Sequence, residues 1–289
     1  MIPVLDIGGT HVTAALVDPA RRSVTAQRRD PLDGRGDAGP ILDTLLRCAA
    51  GLGLPPEAAR GAVWGVATPG PFDYRRGIGR FESVGKFDSL RGVDVGLALA
   101  EGLPGPPAGV VFGNDAHAFL LGEWLAGAAR GRERCVGITL GTGVGSAFLA
   151  EGRIREEGPG VPPEGRADLL RVAGRPLEES VSRRAILADY GEPGLDVMGI
   201  AERARRGEAR ASRVLDAAFT GLGRALAPCL TAFGATALVV GGSMAGSFDV
   251  LGPALRAGLG EVPTLATITT SELNSDAPLL GAAHIAAEG

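Results

Sequence analysis

LDIGGTHVTAALV, residues 5–17, and ITLGTGVGSAFLA, residues 138–150, are variations on one plan. Each delivers an apolar strand into a glycine turn that carries a threonine, then returns along a second strand. In the first copy Val4 to Ile7, Thr13 to Val17 and Ser23 to Arg28 read as an antiparallel meander. In the second, Cys135 to Leu140 turns through GTGVG and Ser146 to Ala150 returns. A further strand, Ala237 to Val240, is closed by GGSMAG. Working outward, Ile41 to Ala50 reads as a helix, Gly61 to Ala67 as a buried strand ending in TPGPFD, residues 78–94 as loop, Val93 to Glu101 as a short helix and Val110 onward as another strand. Residues 151–176 are rich in Gly, Pro and charge and predict a surface loop. Helical patterns then run over Leu177 to Ala188, Ala201 to Phe233 and Pro278 to Ala287. Strands alternating with helices favour an α/β fold.

The 289 residues are enough for one large domain or two ordinary ones, each with its own core. Hydrophobic residues at 45% and charged residues at 21% give the balance of a globular chain. The net charge is −4 and the basic residues are scattered, so no footprint for nucleic acid is visible. Only Lys86 stands against 28 arginines, which with abundant Ala and Gly reads as composition bias. The sequence opens directly on a strand-like MIPVLDIGG, without a signal-peptide pattern, and no apolar run reaches the ~18 residues of a membrane span. A cytoplasmic location is expected. Cys48, Cys135 and Cys229 are far apart and odd in number, forming neither a disulfide framework nor a CxxC pair.

The glycine turns at Asp6–Thr10, Gly141–Gly145 and Gly241–Gly246 let backbone N–H groups approach an anion closely, and a hydroxyl can add a donor. A tight hairpin also wants glycine, so each turn alone is weak; three of them across two halves that echo each other suit phosphate. None fits GxxxxGK[ST] or GxGxxG, which disfavours a P-loop enzyme or a dinucleotide dehydrogenase. In VVFGNDAHAFLLGEW, residues 110–124, an apolar strand breaks at Gly113 and is followed by Asn114 and Asp115. Both residue types start helices by accepting bonds from first-turn N–H groups. A carboxylate on such a rigid junction can also serve chemistry.

DIGGT with its hairpin, GVATPGPFD, FGNDAHAFLLGEW, ITLGTGVGSAFLAEGRI, VVGGS and LLGAAHIA, in that order, together resemble the ROK family of bacterial sugar kinases and sugar-responsive regulators. The resemblance spans nearly the whole chain. It implies the two-lobed actin-like ATPase (ribonuclease H-like) fold, with a cleft between a small N-terminal lobe of residues 1–113, onto which a C-terminal helix of about 276–289 packs back, and a large lobe of residues 114–275. It implies a sugar kinase using ATP and Mg²⁺, with Asp115 as the general base and Asn114 and Gly70 beside the sugar. Gly8, Gly9, Thr10, Gly141, Thr142 and Gly143 would face phosphate, and Gly241, Gly242 and Ser243 the nucleotide. Asp6 would orient Mg²⁺ through water; its other reading is a turn carboxylate satisfied by local N–H groups. A homodimer is implied by the same kinship. Arg132 and Arg134 read as a solvated charge run rather than phosphate clamps, and His11, His117 and His284 lack ligand-like spacing.

The main departure lies in PEGRADLLRVAGRPLEESVS, residues 163–182. Counted on from GTGVG, Glu164 falls where the family carries the Glu of a GExGH motif that binds a sugar hydroxyl, and the histidine position becomes Ala167. In most members that histidine touches the sugar near C1 and C2 and joins a CxCGxxGC run around structural zinc. With no cysteine between 135 and 229, this chain is expected to bind no zinc. LEES matches the family's LE and would put Glu178 beside the sugar; otherwise Glu178 is a helix-start carboxylate. Ser83 lies near where many relatives carry a sugar-binding Asn, but SVGKFDSLRG aligns poorly and no contact is assigned there. Losing one contact at the C1/C2 end while Asn114 and Asp115 persist points to a glucose-like ring altered away from C6, such as an aminosugar or a cyclitol with a hydroxymethyl group. The alternatives are an ordinary glucokinase and a non-catalytic ROK sensor; the sensor is disfavoured because the sequence starts at the first phosphate strand without a helix-turn-helix and keeps Asp115.

Overall fold

The structure is a computed structural model that describes residues 1–55, 59–82 and 84–289; Ser83 lies outside the described residues. The chain forms two compact units, Met1–Ala126 with Ser275–Gly289, and Gly127–Asn274.

The first unit is built on β1 (Ile2–Ile7), β2 (His11–Asp18), β3 (Ser23–Pro31), β4 (Val63–Thr68) and, after a small hairpin of β5 (Phe72–Asp73) and β6 (Ile78–Gly79), β7 (Gly109–Asn114). Their order is β3-β2-β1-β4-β7, with β1, β4 and β7 parallel and the meander antiparallel. The register Thr68↔Asn114 and Asp6↔Ala67 brings the carboxyl ends of three parallel strands together, which is where open α/β sheets place their ligands. Helices α1 (Ala38–Ala50) and α2 (Val95–Gly102) bury their apolar stripes, through Ile41, Leu45 and Leu99, in a core with Trp64 and a set of phenylalanines. Residues 78–94 are less loop-like than their composition suggests. Phe81, Phe87 and Leu90 are buried, and Phe81 stacks between Phe72 and Phe87 at centroid distances of 6.2 and 5.3 Å.

Helix α3 (Asp115–Ala126) continues β7 and belongs to this unit because of what covers it. The C-terminal helix Ala277–Glu288 crosses it at backbone distance: a Cβ built on Gly281 would lie 1.8 Å from the Ala118 carbonyl oxygen, and one on Gly122 2.0 Å from that of Ala277. The same helix lies on β4, where a Cβ on Gly65 would meet the Ala282 oxygen at 2.2 Å. The unit boundary therefore falls after Ala126, not before Asn114, since small residues weld α3 to this sheet.

The second unit repeats the plan. β8 (Arg134–Leu140) and β9 (Val144–Ala150) form the hairpin, extended by β10 (Arg153–Ile154); β11 (Arg171–Val172) and β12 (Arg175–Pro176) stand apart as a ribbon; β13 (Ala237–Gly241) and β14 (Thr267–Thr270) complete the order β10-β9-β8-β13-β14. β13 runs parallel to β8 from Ala237↔Cys135 to Gly241↔Thr139, so two glycine turns leave the same sheet end. The helical stretch from Leu177 is broken at Ser182, whose Oγ accepts from the Ala185 N–H at 3.3 Å and caps α5 (Arg183–Tyr190) after the single turn of α4 (Glu178–Val181). The long helical pattern divides into α6 (Val197–Arg205) and α7 (Ala209–Phe233) around Gly207 at φ 85°.

Helix α8 (Phe248–Leu259) and β14 are elements that the sequence pattern did not suggest. Gly252, Pro253 and Gly258 read as breakers, yet Gly258 is needed where α8 meets α7: its Cβ would lie 2.2 Å from the Thr220 oxygen. Residues 151–176 are not simply surface loop, since Pro162, Gly165 and Ala167 are buried. Gly160, at φ 76°, packs so closely on the end of α7 that a Cβ would lie 2.2 Å from the Phe233 nitrogen. Arg134 is not a solvated charge: its Nε donates to the Phe233 carbonyl at 2.7 Å and its guanidinium covers that ring. Among the described residues no helix is long and apolar enough to cross a membrane.

Candidate active site

In the first unit the strand ends gather Asp6, Gly8, Gly9, Thr68, Gly70, Asn114 and Asp115. Asn114 caps α3: its Oδ1 accepts from the N–H groups of Ala116 and His117 at 2.9 and 3.2 Å. Its Nδ2 donates to the Tyr74 hydroxyl at 3.0 Å, and that hydroxyl donates to the Thr68 carbonyl at 3.4 Å. A Cβ on Gly70 would stand 3.2 Å from the same Tyr74 oxygen, so Gly70, Tyr74 and Asn114 form one polar corner. The amide keeps one N–H to offer. Tyr74 was not singled out from the sequence, because nothing in FDYRRG marks it.

Asp115 opens the helix and accepts from the Ala116 N–H at 2.8 Å through Oδ1. Burial pushes its carboxyl above the usual carboxylate range, and the positive charge of Lys86 with the Ala116 N–H partly restores the ionised form. Asp6 is raised to about 7, by burial first and by repulsion from Asp115 second, with Arg29 opposing. Both carboxylates keep a partly accessible face, so they are desolvated without being sealed. Thr10, exposed on the turn, places its Oγ1 3.0 Å from His11 Nδ1. His117 is held neutral by burial, its pKa lowered to about 4.

Lys86 is the second side chain that composition alone did not mark as functional. Its Cδ would lie 3.3 Å from a Cβ on Gly9, so it lies against the DIGGT turn.

In the second unit the turns Gly141–Gly145 and Gly241–Gly246 are neighbours. A Cβ on Gly141 would stand 3.6 Å from Ser243 Oγ, and Gly242, at φ 83°, fits against the Leu140 backbone where no side chain could. Thr142, Gly242 and Ser243 are exposed. Glu178 lies on the first of these turns, its Oε2 accepting from the Val144 N–H at 3.5 Å and standing 3.0 Å from a Cβ on Gly143. Glu164, at φ 58° and exposed, shares the field of Arg166 with Asp168 and Glu178. The turn carrying it is fixed by buried Ser146, whose Oγ donates to the Gly165 carbonyl and accepts from the Ala167 N–H at 2.8 Å. Ala167 itself is fully buried.

Among the described residues no group of three or more His, Cys, Asp or Glu is placed to hold a metal ion. Asp6 still fits Mg²⁺ of the water-mediated kind. A desolvated carboxylate repelled by a second one is relieved by a cation, and Mg²⁺ beside nucleotide phosphates needs only one or two protein oxygens.

Two hairpin-centred sheets of the same order, each ending its central strand in a glycine turn, define the actin-like ATPase fold, here with a strand-to-helix carboxylate. The sequence model of the ROK family matches residues 3–288. The chain is 27% identical to a glucokinase of Thermotoga maritima, over 98% of this chain and 96% of that one. Among solved structures, a ROK family glucokinase of Streptomyces griseus in complex with glucose and AMPPNP superposes with a TM-score of 0.78 at 25% identity, over 100% of this chain and 99% of that one. A ROK hexokinase of Thermus thermophilus gives 0.76 at 26%, over 99% and 98%. The chain belongs to the ROK family and is, in class, a sugar kinase of that family.

Proposed function

We propose that the protein transfers the γ-phosphoryl group of ATP to a C6-type hydroxymethyl of a glucose-like sugar, aminosugar or cyclitol, with Asp115 as general base. The observation that carries this reading is the Asp115 carboxylate, fixed on a capped helix start beside the DIGGT turn and desolvated enough to hold a proton more tightly than a surface carboxylate. The alcohol oxygen bonds to the γ-phosphorus, its proton passes to Asp115, and the bond to the bridging oxygen breaks so that ADP departs with the electron pair. Asn114 offers its remaining N–H to a sugar hydroxyl, beside Gly70. Glu164 and Glu178 are the second unit's sugar-facing acceptors in this reading. Gly8, Gly9 and Thr10, with Gly141, Thr142 and Gly143, face phosphate, and Gly241, Gly242 and Ser243 the nucleoside. Mg²⁺, held through water by Asp6, supplies charge neutralisation on the phosphates when bound.

Substrate choice rests on Ala167. A fully buried methyl stands where the family motif carries a sugar-contacting imidazole, so one polar contact to the ring is missing. Plain glucose is the competing reading, favoured by full-length kinship to glucokinases. Initial rates on glucose, kanosamine, mannose, N-acetylmannosamine and a hydroxymethyl cyclitol separate the two. A clear preference for glucose in kcat/KM overturns the specialised reading. The setting in this reading is a cytoplasmic homodimer, and analytical sedimentation of the purified chain tests the assembly.

A further inference from the structure

Lys86 is the one lysine of the chain and is partly buried. Among the described residues no hydrogen bond or ion pair reaches its ammonium, although Asp115 lies within its electrostatic influence. An ammonium without a protein partner beside a carboxylate can take up the negative charge of a ligand.

The backbone around it is built, not trailing. Phe87 is buried in the left-handed region at φ 61°, and its N–H donates to the Gly34 carbonyl. Gly34 in turn donates to the Gly9 carbonyl at 3.3 Å, so two hydrogen bonds connect the lysine loop to the DIGGT turn. Asp88 accepts from the N–H groups of Val84 and Gly85 at 3.1 and 3.2 Å, and Ser89 Oγ donates to the Gly36 carbonyl at 2.7 Å. The aliphatic stem then rests where Gly9 lacks a Cβ. The stem thus carries the positive charge along the DIGGT turn.

We propose that Lys86 is a further catalytic residue, whose ammonium binds the γ-phosphoryl oxygens as that group passes from ATP to the acceptor alcohol. The inference rests on the kinase reading above and deepens it. The new bond joins the acceptor oxygen to phosphorus, the bond from phosphorus to the β,γ-bridging oxygen breaks, and the alcohol proton goes to Asp115. Lys86 neither gives nor takes a proton. Its charge opposes the negative charge of the phosphoryl oxygens and of the Asp115 carboxylate that the phosphoryl group must approach.

The test uses the full chain with the best acceptor of the sugar panel, and the variants Lys86→Met and Lys86→Arg. Lys86→Met is expected to lower kcat by about 10²-fold, the usual loss for one transition-state donor, with the sugar KM changed less than three-fold. Calorimetric titration with Mg²⁺·AMPPNP and with Mg²⁺·ADP supplies a second readout. Wild-type protein should favour AMPPNP over ADP, Lys86→Met should lose that preference while holding ADP normally, and Lys86→Arg should recover at least ten-fold of the lost kcat. Unchanged kcat, or a loss confined to the sugar KM with the AMPPNP preference intact, overturns the assignment. So does an Arg variant no better than Met, provided its melting temperature matches wild type. If no sugar supports ADP formation by wild-type protein, the kinase reading fails instead, and the AMPPNP-to-ADP preference still decides the role of Lys86.

Discussion

Replacing Asp6 by Asn isolates the cost of its desolvated charge. The Asp6 carboxyl is raised from 3.8 to about 7. Ionising it in the folded chain therefore costs about 4 kcal/mol more than in the unfolded chain, at about 1.4 kcal/mol per tenfold change in proton affinity. Partial access to solvent and sharing of the repulsion with Asp115 reduce this to roughly 2 kcal/mol of net gain for the amide. The sign follows from proton counting. Between 3.8 and about 7 the folded protein holds a proton that the unfolded chain has released, so stability falls as pH rises through that window, and the full penalty stands above it. Asp6→Asn should raise the melting temperature of the ligand-free protein by roughly 4 °C at pH 8 and hardly at all at pH 4.5. Thermal denaturation of both proteins at the two pH values measures it. An equal shift at both, or a loss at pH 8, refutes the claim that an unrelieved charge sits at the end of β1. Mg²⁺·AMPPNP should stabilise wild type more than the variant, because only the carboxylate offers the ion an oxygen charge.

Asp115→Asn should lower kcat by about 10²-fold or more while sugar and nucleotide affinities stay within a few-fold, as measured by steady-state kinetics and calorimetry; wild-type turnover would remove the general-base role. Ser146→Ala strands the buried Ala167 N–H and Gly165 carbonyl, and should cost about 2–3 kcal/mol in urea denaturation. Gly281→Ala drives a methyl into the Ala118 carbonyl and should destabilise the first unit by about 3 kcal/mol or more, read as a lower urea midpoint; a neutral result contradicts the backbone-distance crossing.

The parts of the fold that were legible in the sequence are those whose signal is local. Alternating runs punctuated by DIGGT and GTGVG announce the two hairpins, and Asn114 before an apolar helix announces a cap that the structure realises at 2.9 and 3.2 Å. Helix α8 was hidden because Gly252, Pro253 and Gly258 oppose helix formation locally, while close packing on α7 outweighs that preference. Tyr74 and Lys86 were hidden for a different reason. Tyr74 reaches Asn114 across 40 residues, and Lys86 reaches Gly9 through a loop of no regular period. Such placements depend on buried Phe72, Phe81 and Phe87, and an aromatic cluster has no signature of which polar neighbour it will carry.

The helix Ala277–Glu288 lies in the first unit, between α3 and β4, although 148 residues of the other unit, Gly127–Asn274, are translated before it. The second unit is one continuous stretch that carries its own five-stranded sheet. The first is assembled from two separate stretches, so a fragment ending at Ala126 would leave the faces of Gly65, Ala118 and Gly122 open. The Asp115 end therefore depends on a segment that lies more than 140 residues further along the chain, and cutting the connection at Asn274 would unmake the first unit while sparing the sheet of the second.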